Sequence, residues 1–228
     1  MSRSLHAYLS MSRVAVGQFQ RSLKVQERFV TLDFTHIMTY ECRYEHLEQR
    51  LRSRLDRPEI EQVSRAYNVA ESAHQYQLRD EGTPYIVHPL RVAVSLVDEL
   101  EIYSPKLICS ALLHDVIEDS PTTREEITDM FGSDIGQLVW LLTKFEDVSL
   151  RDYLAAIEDA AETGAPLIKL CDRLDNLRFL ARSPRADKKQ RYIRTTEAYY
   201  LPMAARTNHY LHQELSRSLD EVRNHVNI

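Results

Sequence analysis

The sequence predicts an all-α protein, and three observations favour this fold class. From about Asp56 to the end of the chain, apolar residues recur every three or four positions, as they do on one face of an amphipathic helix. Prolines and capping residues stand where such helices would begin. Alternating apolar and polar residues bounded by turn dipeptides, which would indicate strands, are essentially missing.

The first predicted helix shows the pattern clearly, because Ile60, Val63, Tyr67 and Ala70 share one face and Pro58 stands near the first turn. Four more helices are marked by their starts: Pro89, Ser104-Pro105, Thr123 with Glu126 as a capping box, and the residues after Ser133. Four later helices are predicted over Leu150–Glu162 before Gly164, about Pro166–Leu180, the stretch between Pro184 and Pro202, and a last segment carrying Leu211, Leu215 and Val222.

These helices are predicted to form one globular domain over residues 51–228, which is enough chain to bury a substantial core. Residues 1–50 are predicted to be a flexible or loosely packed extension. The first 37 residues carry five Lys and Arg residues against one Glu and one Asp. That composition also fits an organelle transit peptide, and a functional chain that starts at Met38 is a third option.

Composition excludes several classes of function. A net charge of −5 provides no overall basic field, so we expect no nucleic-acid partner. No apolar run approaches the ~20 residues that cross a bilayer, so we expect no membrane partner. The three cysteines, Cys42, Cys109 and Cys171, lie far apart, which favours a reducing compartment and predicts a cytoplasmic protein. The sequence leaves a homo-oligomer open.

The segment Leu112–Asp119 places polar residues in an otherwise apolar predicted helix, namely His114, Asp115, Glu118 and Asp119. Residues four apart share a helical face, so His114 is expected over Glu118 and Asp115 over Asp119. Burying acids beside one another costs free energy unless a cation compensates them, and a divalent metal ion would do so. The segment also fits an ordinary solvated helix end, because a serine and a proline follow it.

Two further polar residues strengthen the metal hypothesis. His88 stands at the start of a predicted helix, and Asp172 interrupts the apolar run around Leu170. Together with the His-Asp pair they bring imidazole and carboxylate groups from three helices. This mixed nitrogen and oxygen set suits a first-row divalent cation such as Mn²⁺.

The pattern His…His-Asp…Asp resembles the HD phosphohydrolase superfamily and, more narrowly, the hydrolase domain of the RelA/SpoT family. The matching segments, in order, are His74-x-x-Gln77-x-Arg79, Gly82–Pro89, Ala111–Asp119, Phe131-Gly132, Thr143-Lys144, Ile168–Arg178 and Tyr199–Arg206. The resemblance implies an HD-domain helical bundle of about eight to ten helices. Because the chain stops soon after the last segment, we expect a stand-alone small alarmone hydrolase.

The resemblance also implies an activity, the Mn²⁺-dependent removal of the 3′-pyrophosphate of guanosine tetra- or pentaphosphate to give GDP or GTP and pyrophosphate. The implied ligands of one Mn²⁺ per chain are His88, His114, Asp115 and Asp172, with other divalent metals allowed. Glu118 and Asp119 would activate and orient the attacking water. Arg79 and Asn176 would hold the nucleotide substrate, and Lys144 and Arg173 are further candidates for phosphate contact.

Several alternatives stay open. The same fold and metal could serve another nucleotide, such as ppApp or NADPH, and a non-catalytic binding or antitoxin-like role is a third reading. Bimetallic HD phosphohydrolases need extra histidines after the His-Asp pair, and none occurs between His114 and His209. His74 fits a pocket group and a packed helix-face histidine equally well.

The chain departs from the RelA/SpoT pattern at three positions. Asp80 stands where many members have Lys, Asp175 where they commonly have His, and Phe179 where a small polar residue is common. We expect all three to bear on the pocket. Asp80 and Asp175 are expected to add negative charge there and to weaken phosphate binding.

Overall fold

The apolar stripes of the sequence form helices that pack around a shared core in a computed structural model, which describes residues 42–180 and 183–226. All the described helices belong to the compact unit Arg43–Ile228. The α-helices of these residues are α1 Tyr44–Leu51, α2 Arg57–Ala73, α3 Val87–Asp98, α4 Pro105–Leu113, α5 Val116–Asp119, α6 Arg124–Phe131, α7 Ser133–Leu142, α8 Leu150–Asp159, α9 Ala165–Leu180, α10 Ala186–Thr195, α11 Leu201–Thr207 and α12 His209–Val226.

The all-α fold class is confirmed. Apart from one isolated β-bridge between Leu78 and Pro84, the described residues contain no strand pairing. A 3₁₀ turn over Ala161–Thr163 leads into α9, and a π-helical turn over Thr196–Tyr200 joins α10 to α11. None of the described helices is long and apolar enough to cross a membrane.

Two of the predicted helix starts have reciprocal side-chain caps. Asp56 accepts a hydrogen bond from the Glu59 backbone N–H, and the Glu59 carboxylate accepts one from the Asp56 N–H in return. Thr123 and Glu126 form the predicted capping box at the start of α6. Each box satisfies backbone donors that the first turn of a helix leaves free.

Helix α1 was not predicted from the sequence, and the predicted boundary at residue 50 falls inside it. Its Leu47 and Leu51 are buried, and Arg50 Nε lies 2.9 Å from Asp98 Oδ1 at the end of α3. A helix of eight residues has too few apolar positions to give a clear period, so tertiary packing stabilises it. The expectations for residues 1–41 lie outside the described residues.

Helices α3 and α9 form the centre of the core and carry half of the candidate site. They pack against each other, α9 also packs against α12, and α4 packs against α2, α3 and α7. Most residues of α3 and α9 are buried, so neither helix has a wide polar face. His88 lies in the first turn of α3 and Asp172 lies in the middle of α9.

Two helical predictions were wrong in detail. Leu112–Asp119 is not one helix, because α4 ends at Leu113, His114 and Asp115 form a turn, and α5 begins at Val116. The helix predicted to reach Pro202 ends earlier, because α10 stops at Thr195. Pro202 instead occupies the first turn of α11, a position that proline favours. The π-helical turn precedes this proline.

Cys109 and Cys171 are buried free thiols. Burial raises the pKa of the Cys109 thiol to about 12. Both cysteines therefore act as small apolar core residues.

Candidate metal centre and adjoining pocket

The four predicted metal ligands converge although they come from three separate segments. His88 Nε2 lies 3.1 Å from Asp172 Oδ1 and 3.7 Å from Asp115 Oδ2. His114 Nε2 lies 3.1 Å from Asp115 Oδ2 and 4.0 Å from Asp172 Oδ1. The candidate ligand atoms of His88, His114 and Asp115 all lie within 4.8 Å of one another. The structure therefore brings these four side chains together, and their role as metal ligands stays a prediction.

Both histidines are oriented through the ring nitrogen that faces away from this cluster. His114 Nδ1 lies 2.7 Å from the Ala111 carbonyl oxygen, so Nδ1 carries the proton of that hydrogen bond. His88 Nδ1 lies 2.6 Å from Asp175 Oδ2. With Nδ1 as donor in each ring, Nε2 of both rings faces the carboxylates of Asp115 and Asp172.

The residues present fit a divalent metal ion. His114 Nε2 is buried and has no hydrogen-bond partner of acceptable geometry, although the Asp115 carboxylate is close. A buried polar atom without a partner costs free energy, and a cation would satisfy it. Two neutral imidazoles and two carboxylates form a donor set suited to first-row divalent ions.

The carboxylates are held by three neighbours, of which the sequence analysis named only Asn176, and that as a nucleotide contact. Tyr85 donates from its hydroxyl to Asp115 Oδ2 at 2.7 Å. Lys169 Nζ lies 2.9 Å from Asp172 Oδ2, and Asn176 Nδ2 donates to Asp172 Oδ1 at 2.6 Å. Asp172 is thus held by two residues on its own face of α9, one a helical turn before it and one a helical turn after it.

The cluster is strongly electronegative. Burial alone would lower the pKa of His114, but the Asp115 carboxylate outweighs burial and raises this pKa to about 9. Burial would raise the pKa of Asp115 and of Asp172, but neighbouring positive groups hold both well below the usual range, His114 for Asp115 and Lys169 for Asp172. Both carboxylates are therefore charged at neutral pH, and the site favours added positive charge.

Glu118 and Asp119 lie at the rim of this cluster, on α5. Both are exposed, in contrast to the prediction of a buried helical face. The predicted continuous helix is interrupted before α5, at His114 and Asp115, and the Asp119 backbone N–H donates to the Asp115 carbonyl oxygen at 2.9 Å. The Lys144 backbone N–H donates to Glu118 Oε2 at 3.0 Å and fixes that carboxylate.

Asp119 is fixed by the segment after α2. Gln77 donates from its side-chain amide to the Asp119 carbonyl oxygen at 3.2 Å, and His74 Nδ1 lies 2.8 Å from Gln77 Oε1. His74 is buried, and its Nδ1 lies 4.0 Å from Asp119 Oδ2. Burial, then the charges of Asp115 and Glu118, raises the pKa of Asp119 to about 6, within the range suited to accepting a proton near neutral pH.

A cavity of about 630 Å³ opens beside the cluster and is lined by residues of both signs of charge. Asp115, Asp172, Glu118 and His88 form one part of its wall. The positively charged lining residues are Arg79, Lys144, Lys169, Arg173, Lys188 and Arg191. Such a concentration of cations next to carboxylates matches a ligand that carries several negative charges.

The four predicted substrate-binding residues all line this cavity. Arg79 donates to Asn176 Oδ1 at 3.1 Å, so these two side chains form one unit. Arg173 packs between two aromatic rings, with its guanidinium carbon 4.2 Å from the Tyr192 ring centre and 3.8 Å from that of Tyr200. Much of the Arg173 side chain is therefore used in packing, and both tyrosines also line the cavity.

Comparison with known proteins agrees with this geometry. The family model described as HD domain matches residues 66–209. The chain belongs to the HD domain family. A family member with this His, His-Asp and Asp set has the groups for a divalent metal site, which is the arrangement the described residues provide.

Among curated proteins, this HD domain is 36% identical over 185 residues to the bifunctional (p)ppGpp synthase/hydrolase SpoT of Escherichia coli K12. It is 38% identical over 165 residues to a guanosine-3′,5′-bis(diphosphate) 3′-pyrophosphohydrolase of Vibrio cholerae. The matches cover 75% and 67% of this chain but only 26% and 22% of those proteins. The chain thus spans about a quarter of the length of the curated relatives it matches.

Among solved structures, the HD domain is similar to one described as a metazoan orthologue of SpoT that hydrolyses ppGpp and plays a role in starvation responses. The two chains are 28% identical with a TM-score of 0.62. The match covers 70% of this chain and 94% of the other.

The three departures from the RelA/SpoT pattern differ in their relation to the pocket. Asp80 lines the cavity, but its carboxylate lies 2.7 Å from Lys188 Nζ and accepts a hydrogen bond from Ser183 at 2.9 Å, so its charge is paired. Asp175 is buried and forms an ion pair with Arg91. Phe179 packs under Arg91, whose guanidinium carbon lies 3.7 Å from the ring centre.

Sequence reasoning missed Tyr85, Lys169, Lys188, Arg191 and Tyr192 as cavity residues. Two of them had a signal in the sequence. Lys169 stands three residues before Asp172, which places both on one helical face, and Tyr85 stands three residues before His88 at a helix start. Lys188 and Arg191 lie on the charged helix α10, which reads as an ordinary solvated helix.

Proposed function

We propose that this HD domain hydrolyses the 3′-pyrophosphate of guanosine tetra- or pentaphosphate in an Mn²⁺-dependent reaction, releasing GDP or GTP and pyrophosphate. The observation that carries the proposal is the joint position of two sets of residues. A His₂Asp₂ cluster suited to a divalent ion forms part of the wall of a cavity whose remaining wall carries six cations. Curated relatives named as guanosine-3′,5′-bis(diphosphate) 3′-pyrophosphohydrolases support the same substrate.

In this proposal His88, His114, Asp115 and Asp172 hold one Mn²⁺. When bound, this ion would lower the pKa of a water molecule and offset negative charge on the phosphoryl oxygens. The chain's own residues do the rest. Tyr85 and Asn176 fix the carboxylates of Asp115 and Asp172, and Lys169 pairs with Asp172.

Glu118 and Asp119 accept the proton of the attacking water. Water oxygen bonds to the phosphorus atom next to the ribose, the bond from that phosphorus to the ribose 3′ oxygen breaks, and the 3′ oxygen takes a proton. Glu118 is held for this role by the Lys144 backbone N–H, and Asp119 by the Gln77 side chain. Their exposure at the rim suits groups that exchange protons with solvent.

The cations of the cavity bind the phosphates. Arg79 offers a planar guanidinium that can pair with a phosphate in two hydrogen bonds, and Asn176 holds it in place. Lys144 and Arg191 add positive charge at other points of the wall, and Tyr192 offers an aromatic face. Electrostatic attraction by such a wall would raise the rate of association with a polyanion.

The test is pyrophosphate release from a panel of ppGpp, pppGpp, ppApp and NADPH, with metal-stripped protein and with Mn²⁺ restored. The proposal predicts release from the two guanosine substrates only when metal is present. Release of phosphate from NADPH alone, or hydrolysis of ppApp alone, would show that the substrate is another nucleotide. Binding of ppGpp without hydrolysis in the Mn²⁺-loaded protein would favour the non-catalytic role.

We also propose a cytoplasmic location, since the proposed substrates are nucleotides and the buried Cys109 and Cys171 are free thiols. A homo-oligomer stays open, and size-exclusion chromatography with light scattering would give the state directly.

A further inference from the structure

A buried chain of polar contacts leads away from the metal centre through His88. Asp175 Oδ2 lies 2.6 Å from His88 Nδ1, on the opposite side of the ring from Asp172. Arg91 donates to Asp175 from Nε at 2.6 Å and from a terminal nitrogen at 3.1 Å. All three side chains are at most 2% exposed. Ionisable side chains are rarely buried this deeply unless they pair with one another.

We propose that Asp175 is a positioning residue, which holds His88 as the Nδ1-protonated tautomer with its Nε2 lone pair aimed at the metal centre, and that Arg91 holds Asp175. This inference rests on the proposed role of His88 as a metal ligand and goes beyond it. A carboxylate behind a metal-binding imidazole fixes the orientation of the ring and makes it a better donor.

Charge and packing both favour this reading. A buried carboxylate needs a compensating positive charge, and Arg91 provides it, so the hydrogen bond requires only a neutral imidazole from His88. Arg91 is in turn packed against the Phe179 ring. His88 and Arg91 stand three residues apart on α3, and Asp175 and Phe179 four apart on α9, so two facing helix surfaces supply the whole arrangement.

A second ion pair between the same two helix regions provides a matched control. Arg178 of α9 donates to both carboxylate oxygens of Glu99, which caps the end of α3, at 2.7 and 2.8 Å. Like Arg91 with Asp175, this pair joins an arginine to both oxygens of a carboxylate, although Arg178 also donates to Glu214 at 3.0 Å, and neither Arg178 nor Glu99 hydrogen-bonds to His88. A substitution that acts only by loosening α3 against α9 should therefore have the same effect at either pair.

The experiment measures Mn²⁺ affinity of metal-stripped protein by the electron paramagnetic resonance signal of free Mn²⁺. Asp175→Asn should weaken Mn²⁺ binding by about 10-fold or more, the usual effect of losing a partner behind a metal ligand. Arg178→Met should lower the melting temperature but leave Mn²⁺ affinity within about twofold of the parent protein. Equal losses of affinity in both variants, or none in Asp175→Asn, would overturn the proposal.

A second variant covers the case in which Asp175→Asn does not fold. The double variant Arg91→Met with Asp175→Ala removes both charges together, so no buried charge is left alone and the fold should persist. It should show the same loss of Mn²⁺ affinity, and unchanged affinity there would also overturn the proposal. Nitrogen-15 spectra of metal-free protein give an independent readout, since the His88 Nδ1–H signal should be lost in the double variant. A parent protein that binds Mn²⁺ without hydrolysing ppGpp would refute the proposed substrate. The comparison of Mn²⁺ affinities between the variants and the parent protein would still test the role of Asp175.

Discussion

Lys188 on α10 forms an ion pair with Asp80 across the mouth of the cavity, with 2.7 Å between Nζ and Oδ2. This contact joins the segment that carries Arg79 to α10. No pattern in the sequence connects these two segments. Lys188 and Ser183 lower the pKa of Asp80, so the carboxylate is charged and the pair is formed at neutral pH. The pair removes one cation from those available to a phosphate.

Asp80→Asn should therefore lower the KM for ppGpp by about fivefold, the effect of roughly 1 kcal/mol of added attraction, because Lys188 is released to meet phosphate. The value of kcat should change little, since the gain applies equally to substrate and transition state. Steady-state kinetics at fixed ionic strength measures both constants. An unchanged KM, or a gain that persists when Lys188→Gln is added, would contradict this role of the pair.

Asp172→Ala should abolish both Mn²⁺ binding and hydrolysis. Asp172 faces His88 at 3.1 Å and is fixed by Lys169 and Asn176, so its loss opens the donor set and leaves Lys169 without its partner. Calorimetric titration with Mn²⁺ and a pyrophosphate assay are the measurements. Asp187→Ala, at an exposed acid of α10, is the control and should keep both properties. Full activity in Asp172→Ala would remove Asp172 from the ligand set.

Glu118→Gln combined with Asp119→Asn should keep Mn²⁺ affinity but reduce kcat by at least ~10²-fold, the usual scale of a general acid–base contribution. The Glu118 carboxylate accepts from the Lys144 backbone N–H, and Gln77 donates to the Asp119 carbonyl oxygen, so neither of these contacts involves His88 or His114. Measuring metal content together with kcat distinguishes the loss of a proton acceptor from the loss of a metal ligand. A loss of metal that matches the loss of rate would make these residues ligands.

Truncation tests the proposed domain boundary. A chain that starts at Met38 should keep its activity, because every candidate site residue lies after residue 73. A chain that starts at Ser53 loses α1 with the buried Leu47 and Leu51, and its free energy of unfolding should fall by about 3–6 kcal/mol from lost apolar burial. Urea denaturation measures this difference. Equal stability of the two truncated chains would show that α1 does not support the core.

The sequence was sufficient for the fold class and for the grouping of the four candidate ligands, because both depend on residues within strongly periodic helices. It could not show the turn at His114 and Asp115. These residues keep near-helical backbone angles, so the apolar period continues across the break while the hydrogen bonding does not.

Asp175 shows a second limit. An acid next to Asn176 looks like a pocket residue, and its burial depends on a partner 84 residues away in the chain. The one available signal was Arg91, a lone arginine in the otherwise apolar helix α3, since such a residue needs a buried acid to pair with. The pairing of Asp80 with Lys188 had no such signal, because both residues belong to polar segments.

The most direct test of the central claim is a single turnover of ppGpp by the Mn²⁺-loaded protein in ¹⁸O-labelled water, with the products resolved by mass spectrometry. Attack of water on the phosphorus at the ribose 3′ position predicts unlabelled GDP and one ¹⁸O atom in an intact pyrophosphate. The account also predicts no product with Asp172→Ala. Label in the nucleotide, orthophosphate in place of pyrophosphate, or no turnover by fully metal-loaded protein would contradict it.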